Sequence, residues 1–153
     1  MKTAYNHALD ALSLRARSSS ELARWLKERD YDPDEIALTI ERLLASGLLD
    51  DEKYATMFAR DRLVNRKLSK RRVLGELGRR GITRELAATA VSVVFEEEGL
   101  DEDTSVDAAA QRKWKTLSAL DPAVAKRRLF GFLARRGFDG DAVRRAMGRI
   151  ANG

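Results

Sequence analysis

Two short stretches carry side chains that can hold a polyanion. The first reads Lys70-Arg71-Arg72 and then Arg79-Arg80; the second reads Lys126-Arg127-Arg128 and then Arg135-Arg136. On a helix, residues seven apart lie two turns along one face. Arg72 and Arg79 therefore share a face, as do Arg128 and Arg135, with Arg71 and Arg127 beside them. Guanidinium groups in such rows suit phosphates and carboxylates, which they bind by charge-assisted hydrogen bonds. A solvated helix face is the ordinary reading of basic residues. Here the pattern recurs in register with few compensating acids in its first copy, which favours binding.

Catalytic chemistry is poorly supplied. His7 is the sole histidine, and a lone helical histidine is usually a surface residue, since a base or ligand needs partners. There is no cysteine, which excludes disulfides and thiolate metal sites. No glycine-rich loop follows a strand. The acidic run EEEGLDEDTSVD at 96–107 lacks the calcium-loop order of ligands around a central glycine; it reads as a solvated linker whose late acids favour the next helix N-terminus. No enzyme activity, cofactor or metal is expected.

The elements that position the basic rows are legible as a repeat. "WLKERDY" at 25–31, "ELGRRGI" at 76–82 and "FLARRGF" at 132–138 are versions of one phrase. Leu26, Leu77 and Leu133 anchor the copies; Leu22, Val73 and Leu129 stand one turn earlier. The turn position is Asp30, then Gly81 and Gly137, where glycine suits a left-handed helix cap. An apolar residue follows each time: Tyr31, Ile82, Phe138. Ser18 with Glu21 forms a capping box. Asp32-Pro33 and Asp121-Pro122 place an N-cap before proline. Asp50, Ser69, Thr83 and Asp139 are further caps. Helices are expected near 4–17, 19–29, 33–46, 51–66, 70–80, 84–97, 105–118, 122–136 and 140–151. Gly75, Gly78 and Gly131 fall inside helices, where close helix packing is the expected reason for them.

The spacing implies an all-α protein of three tandem three-helix repeats: 3–50, 51–98 and 105–151, with an acidic connector at 99–104. Small units of this kind stack on their neighbours, so an elongated, curved molecule is expected; one compact bundle is the competing arrangement. Net charge is +5 but uneven, about −2 over 1–50, +6 over 51–95, −7 over 96–107 and +8 over 108–153. Such asymmetry points to a polyanionic or acidic partner for the later two-thirds. No apolar run suits a signal peptide or a membrane span, so a cytoplasmic protein without a membrane partner is expected.

Three stretches, in order, resemble the RecX regulators of the bacterial RecA recombinase. "HALDALSLRARSSSELARWLKER" at 7–29 is similar to the family's opening. "GLLDDEKYATMFARDR" at 47–62 is similar to its Gly-Φ-Φ-Asp-Asp-x-x-Tyr-Ala signature, and "RRLFGFLARRGFDGDAVRRAM" at 127–147 to its ending. The resemblance covers nearly the whole chain. It implies a non-enzyme that binds in the groove of the RecA–DNA nucleoprotein filament, inhibits ATPase and strand exchange, and restrains the SOS response. Weak binding of single- and double-stranded DNA and a monomeric state are expected with it. Two departures are visible: Leu68-Ser69 stands where the family commonly has Gly-Pro, and Asp30 replaces the glycine ending the first unit. Ser69 can still cap, so a shifted turn is expected. Of the signature residues, Asp50 reads as a cap, Asp51 as a first-turn acid and Tyr54 as an inward side chain, so the motif is mainly a joint between repeats. A free-standing DNA-binding protein with helix-turn-helix-like units is the alternative.

Overall fold

The computed structural model describes residues 2–152, and the side chains of residues 2–150. Every regular element among them is helical: α1 (Ala4–Leu14), α2 (Ser19–Lys27), α3 (Pro33–Ser46), α4 (Asp51–Arg60), α5 (Lys70–Arg79), α6 (Arg84–Glu98), α7 (Glu102–Thr116), α8 (Pro122–Arg135) and α9 (Gly140–Asn152). A π-helical turn, Asp61–Asn65, continues α4. The helices form three sets of three.

Two helix boundaries lie three residues from expectation, and the others lie within two when the π-helical turn is counted with α4. α1 stops at Leu14 because Arg15 is already extended, leading to the extended N-cap Ser18. α7 begins at Glu102, three residues early, because Asp101 is its N-cap and accepts from the Thr104 N–H at 2.7 Å and hydroxyl at 2.8 Å. The acidic run is therefore mostly helical rather than a solvated linker. Glu96, Glu97 and Glu98 end α6, and Arg60 pairs with Glu97 and Glu98. Asp103 meets Arg145 at 3.2 Å and Asp107 meets Arg149 at 2.8 Å. No acidic, histidine or cysteine cluster suited to a metal ion occurs among the described residues.

Two compact units divide the chain: Met1–Phe58 with Leu77–Ala90, and Ala59–Glu76 with Val91–Gly153. In the first, α1 presents only small buried residues, Ala4, Ala8 and Ala11. They let α1 approach Leu22 and Leu26 of α2 and Ile36 and Leu43 of α3 closely. His7 is half-buried there rather than exposed. Its ring sits edge-on to Trp25 with centroids 4.6 Å apart, and Nδ1 lies 3.0 Å from the Tyr31 hydroxyl. In the second unit, Val106, Ala109 and Ala110 of α7 pack with Leu129 and Leu133 of α8 and Val143 and Ala146 of α9. Close packing does not explain the helical glycines: Gly75 and Gly78 are not buried, and a Cβ on Gly131 would meet only the Arg135 guanidinium. No helix of the described residues is long and apolar enough to cross a membrane.

Candidate binding surface

The repeated phrase is one hydrogen-bonded helix end, built three times. The anchors Leu26, Leu77 and Leu133 are fully buried. Their carbonyls accept from the N–H groups of Tyr31 (3.4 Å), Ile82 (3.1 Å) and Phe138 (3.3 Å). One step inside, the N–H groups of Asp30, Gly81 and Gly137 donate to Lys27, Gly78 and Ala134, each at 3.0 Å. This paired pattern is the Schellman motif, which needs a left-handed residue; Asp30, Gly81 and Gly137 have φ of 65°, 82° and 94°.

Each of the later helix ends is also a joint. Inside the first compact unit, the buried Ser18 hydroxyl accepts from Glu21 N–H and donates to the Arg80 carbonyl at 2.6 Å. Inside the second, the buried Ser69 hydroxyl accepts from Arg72 N–H and donates to the Arg136 carbonyl at 3.2 Å. The N-cap of one repeat's second helix thus satisfies the orphan carbonyl that ends the next repeat's second helix. Ser69 caps as expected, and the turn before it carries Lys67 at φ 57°. The repeat pattern alone does not reveal that the cap and the glycine meet; only the recurrence of both signals it.

The Asp-Asp-x-x-Tyr signature serves the same region. Asp50 accepts from Lys53 N–H at 3.1 Å and caps α4. Asp51 accepts from Ser19 N–H at 2.8 Å and from its hydroxyl at 2.6 Å, tying α4 to the head of α2. Tyr54 is buried, with Ala55, Phe58 and Leu63 also inward. Its hydroxyl donates to Glu21; burial, then that carboxylate, push the Tyr54 pKa up to about 12. Burial opposes ionisation of Glu21, but Ser18 N–H, the Tyr54 hydroxyl and Arg15 outweigh it and hold the carboxyl below its usual range.

These shifts have opposite pH consequences. A depressed carboxyl stabilises the fold above its unfolded pKa, and that contribution is lost as pH falls through the folded value. A raised phenol stabilises it below the unfolded value of 10.0, and the contribution is lost as pH rises toward about 12. Tyr54→Phe keeps the ring and removes the hydroxyl. It is expected to cost about 1 kcal/mol at neutral pH and to flatten the alkaline loss of stability. Urea melts from neutral to alkaline pH test this; an unchanged alkaline decline would refute it.

Of the ten basic residues, eight are exposed or half-exposed at the surface: Lys70, Arg71, Arg72 and Arg79, then Lys126, Arg127, Arg128 and Arg135. Arg80 and Arg136 are half-buried, each over a phenylalanine ring, Phe58 at 4.4 Å and Phe132 at 4.6 Å. Arg72 donates to the Arg135 carbonyl at 3.0 Å. Arg72, Arg80 and Arg136 are therefore held by the joints. Arg71, Arg79, Lys126, Arg127 and Arg128 make no ion pair among the described residues. The carboxylate that feels Lys70 and Arg71, Glu102, is held above its usual range chiefly by burial. The exposed cations recur at matching positions of α5 and α8, and each has the chemistry to hold an anionic group.

Similarity to known proteins follows the same three-part order. Models for the first, second and third three-helix domains of RecX match residues 4–43, 50–91 and 101–147. Regulatory protein RecX of Amycolatopsis mediterranei (strain U-32) is 31% identical over 137 residues, covering 90% of this chain and 77% of the relative. Regulatory protein RecX of Mycobacterium sp. (strain KMS) is 33% identical over 138 residues, covering 88% and 74%. The crystal structure of RecX from Lactobacillus salivarius superposes with a TM-score of 0.78 at 20% identity, covering 98% of this chain and 96% of that one. At that identity the likeness speaks for the fold.

Proposed function

The chain belongs to the RecX family of regulatory proteins, and from that membership we propose that it modulates the RecA recombinase. It binds in the groove of the RecA–DNA filament and suppresses ATPase, strand exchange and SOS signalling, acting by binding rather than by catalysis. The observation that carries this reading is the recurrence of exposed cations without ion pairs at matching places on α5 and α8. A nucleoprotein filament presents DNA phosphates and protein carboxylates at regular intervals. Tandem repeats that each make a weak contact gain from effective concentration, since every bound repeat holds the next near its target.

Co-sedimentation at physiological salt tests the proposal. The protein is expected to pellet with RecA filaments on single-stranded DNA well below the concentration needed for bare DNA, and to lower RecA ATPase over the same range. Equal retention on bare DNA, without ATPase inhibition, would instead favour the free-standing DNA-binding protein.

A further inference from the structure

The second compact unit contains a cavity of about 550 Å³ whose lining is out of electrostatic balance. Arg66, Lys67, Arg72, Arg112, Lys113 and Arg136 line it, with Glu76 as the sole carboxylate in the lining. Glu76 lies 3.9 Å from Arg62, a cation outside that lining. Asp61, also outside it, takes Arg66 at 3.5 Å. Arg136 is crowded: burial first, then its like-charged neighbours Arg72 and Arg112, push its pKa below the usual guanidinium value. Like charges gathered in a concave site repel one another, and an anion that enters relieves that repulsion.

Two further features shape the site. Phe132 lines it, half-buried, with the Arg136 guanidinium 4.6 Å and the Lys113 ammonium 5.0 Å from its ring centroid. A guanidinium seated on an aromatic ring offers its outer face to a planar group. One wall is the segment Asn65–Leu68, which leaves the π-helical turn at Asn65 and passes through left-handed Lys67. The Arg136 guanidinium donates to the Arg66 carbonyl and ties that wall to the end of α8.

We propose that this cavity takes the backbone of a single-stranded nucleic acid, with phosphates held by Arg72, Arg112 and Lys113 and a base against the Phe132–Arg136 stack. Its size falls in the range of small-ligand sites, about 300–1,000 Å³. A flexible strand can place a phosphate and an unstacked base into such a recess. A duplex keeps its bases stacked inside a broad cylinder and can touch only the rim. The proposal rests on the nucleic-acid part of the reading above. It is tested without RecA, so either can fail alone.

The test is fluorescence anisotropy of a labelled oligothymidylate of about eight nucleotides, within the usual footprint of a single-strand site. Arg112→Glu with Lys113→Glu is the site variant; neither side chain donates to a joint. Arg24→Glu with Lys27→Glu, on α2, carries the same charge change outside the cavity. The site variant is expected to lose at least about tenfold in affinity, as removal of two charge-assisted contacts should give, and the α2 variant less than about threefold. The milder pair Arg112→Gln with Lys113→Gln should fall between the site variant and the parent if the reversal perturbs folding, which circular dichroism reads. Equal losses in the site and α2 variants would reduce the cavity to general electrostatics and overturn the proposal. So would a duplex that binds as tightly as the single strand, or inorganic pyrophosphate that displaces the oligonucleotide at equal phosphate concentration. Loss of oligonucleotide binding with RecA ATPase inhibition intact would separate this site from the filament-binding surface.

Discussion

Gly81→Val and Gly137→Val are each expected to destabilise the protein by more than about 2 kcal/mol in chemical denaturation, which combines a left-handed backbone penalty for a β-branched residue with a steric clash. The backbone part follows from φ of 82° and 94°. The clash is specific to the joints. A Cβ at Gly81 would stand 2.2 Å from Ser20 Cβ, and one at Gly137 would stand 2.7 Å from Ser69 Oγ and 2.9 Å from Arg72 Cβ. Either substitution would push the second helix of the preceding repeat off the carbonyl that its serine satisfies. Asp30 is the internal control, because it has the same handedness at φ 65° and is exposed. Asp30→Val should cost less than either glycine change, and Asp30→Gly should stabilise by up to about 1 kcal/mol. If all three valine variants cost the same, the glycines serve the turn alone and the serine joints are not held by their closeness.

That contrast also shows how much of the molecule its sequence discloses. Three anchors, three caps and the serine and proline starts follow from local rules, and each anchor leucine is buried where the spacing requires. Asp30, a departure from the glycine pattern, is what a first copy tolerates: a left-handed turn is needed there, and aspartate can adopt one where the site is exposed. The need for glycine at the later copies arises from the neighbour's serine, 61 or 68 residues earlier in the chain, counting from Ser20 to Gly81 and from Ser69 to Gly137. Contacts of that range show in the sequence only as the recurrence of a serine cap and a glycine, not as a period within one helix. The basic rows are legible as charge but not as roles. Arg72 serves a helix end and Arg136 sits on Phe132, whereas Arg112 and Lys113 gain meaning only from the cavity that α7 lines. The same holds for 96–107, where Glu97, Glu98, Asp103 and Asp107 find their cations, Arg60, Arg145 and Arg149, far along the chain.

Charge reversal on the exposed rows should abolish most of the effect on RecA while leaving the fold intact. Arg71→Glu with Arg79→Glu on α5, and Arg127→Glu with Arg128→Glu on α8, avoid the joint residues Arg72, Arg80 and Arg136. All four side chains are exposed, so stability should change by no more than about 0.5 kcal/mol per site. Combined, the two pairs are expected to raise the concentration for half-inhibition of RecA ATPase by at least about tenfold, with each contact worth up to about 1 kcal/mol. They should also flatten the salt dependence. Every phosphate that the variant no longer neutralises takes about 0.7 to 0.9 off the slope of log affinity against log salt. Reversal of Arg15 and Arg17 is a poor comparison, because Arg15 lies 3.7 Å from Glu21 and Arg17 donates to the Ala11 carbonyl at 3.4 Å. Arg24→Glu with Lys27→Glu matches each pair in charge and lies on the first copy of the repeat, where Glu21 and Glu28 dilute the basic face; it should matter less. If both ridge pairs inhibited RecA as well as the parent, the rows would be solvated faces. The filament contact would then have to lie elsewhere, first around Asp51 and the serine joints, where two repeats are held together and a partner could read both at once.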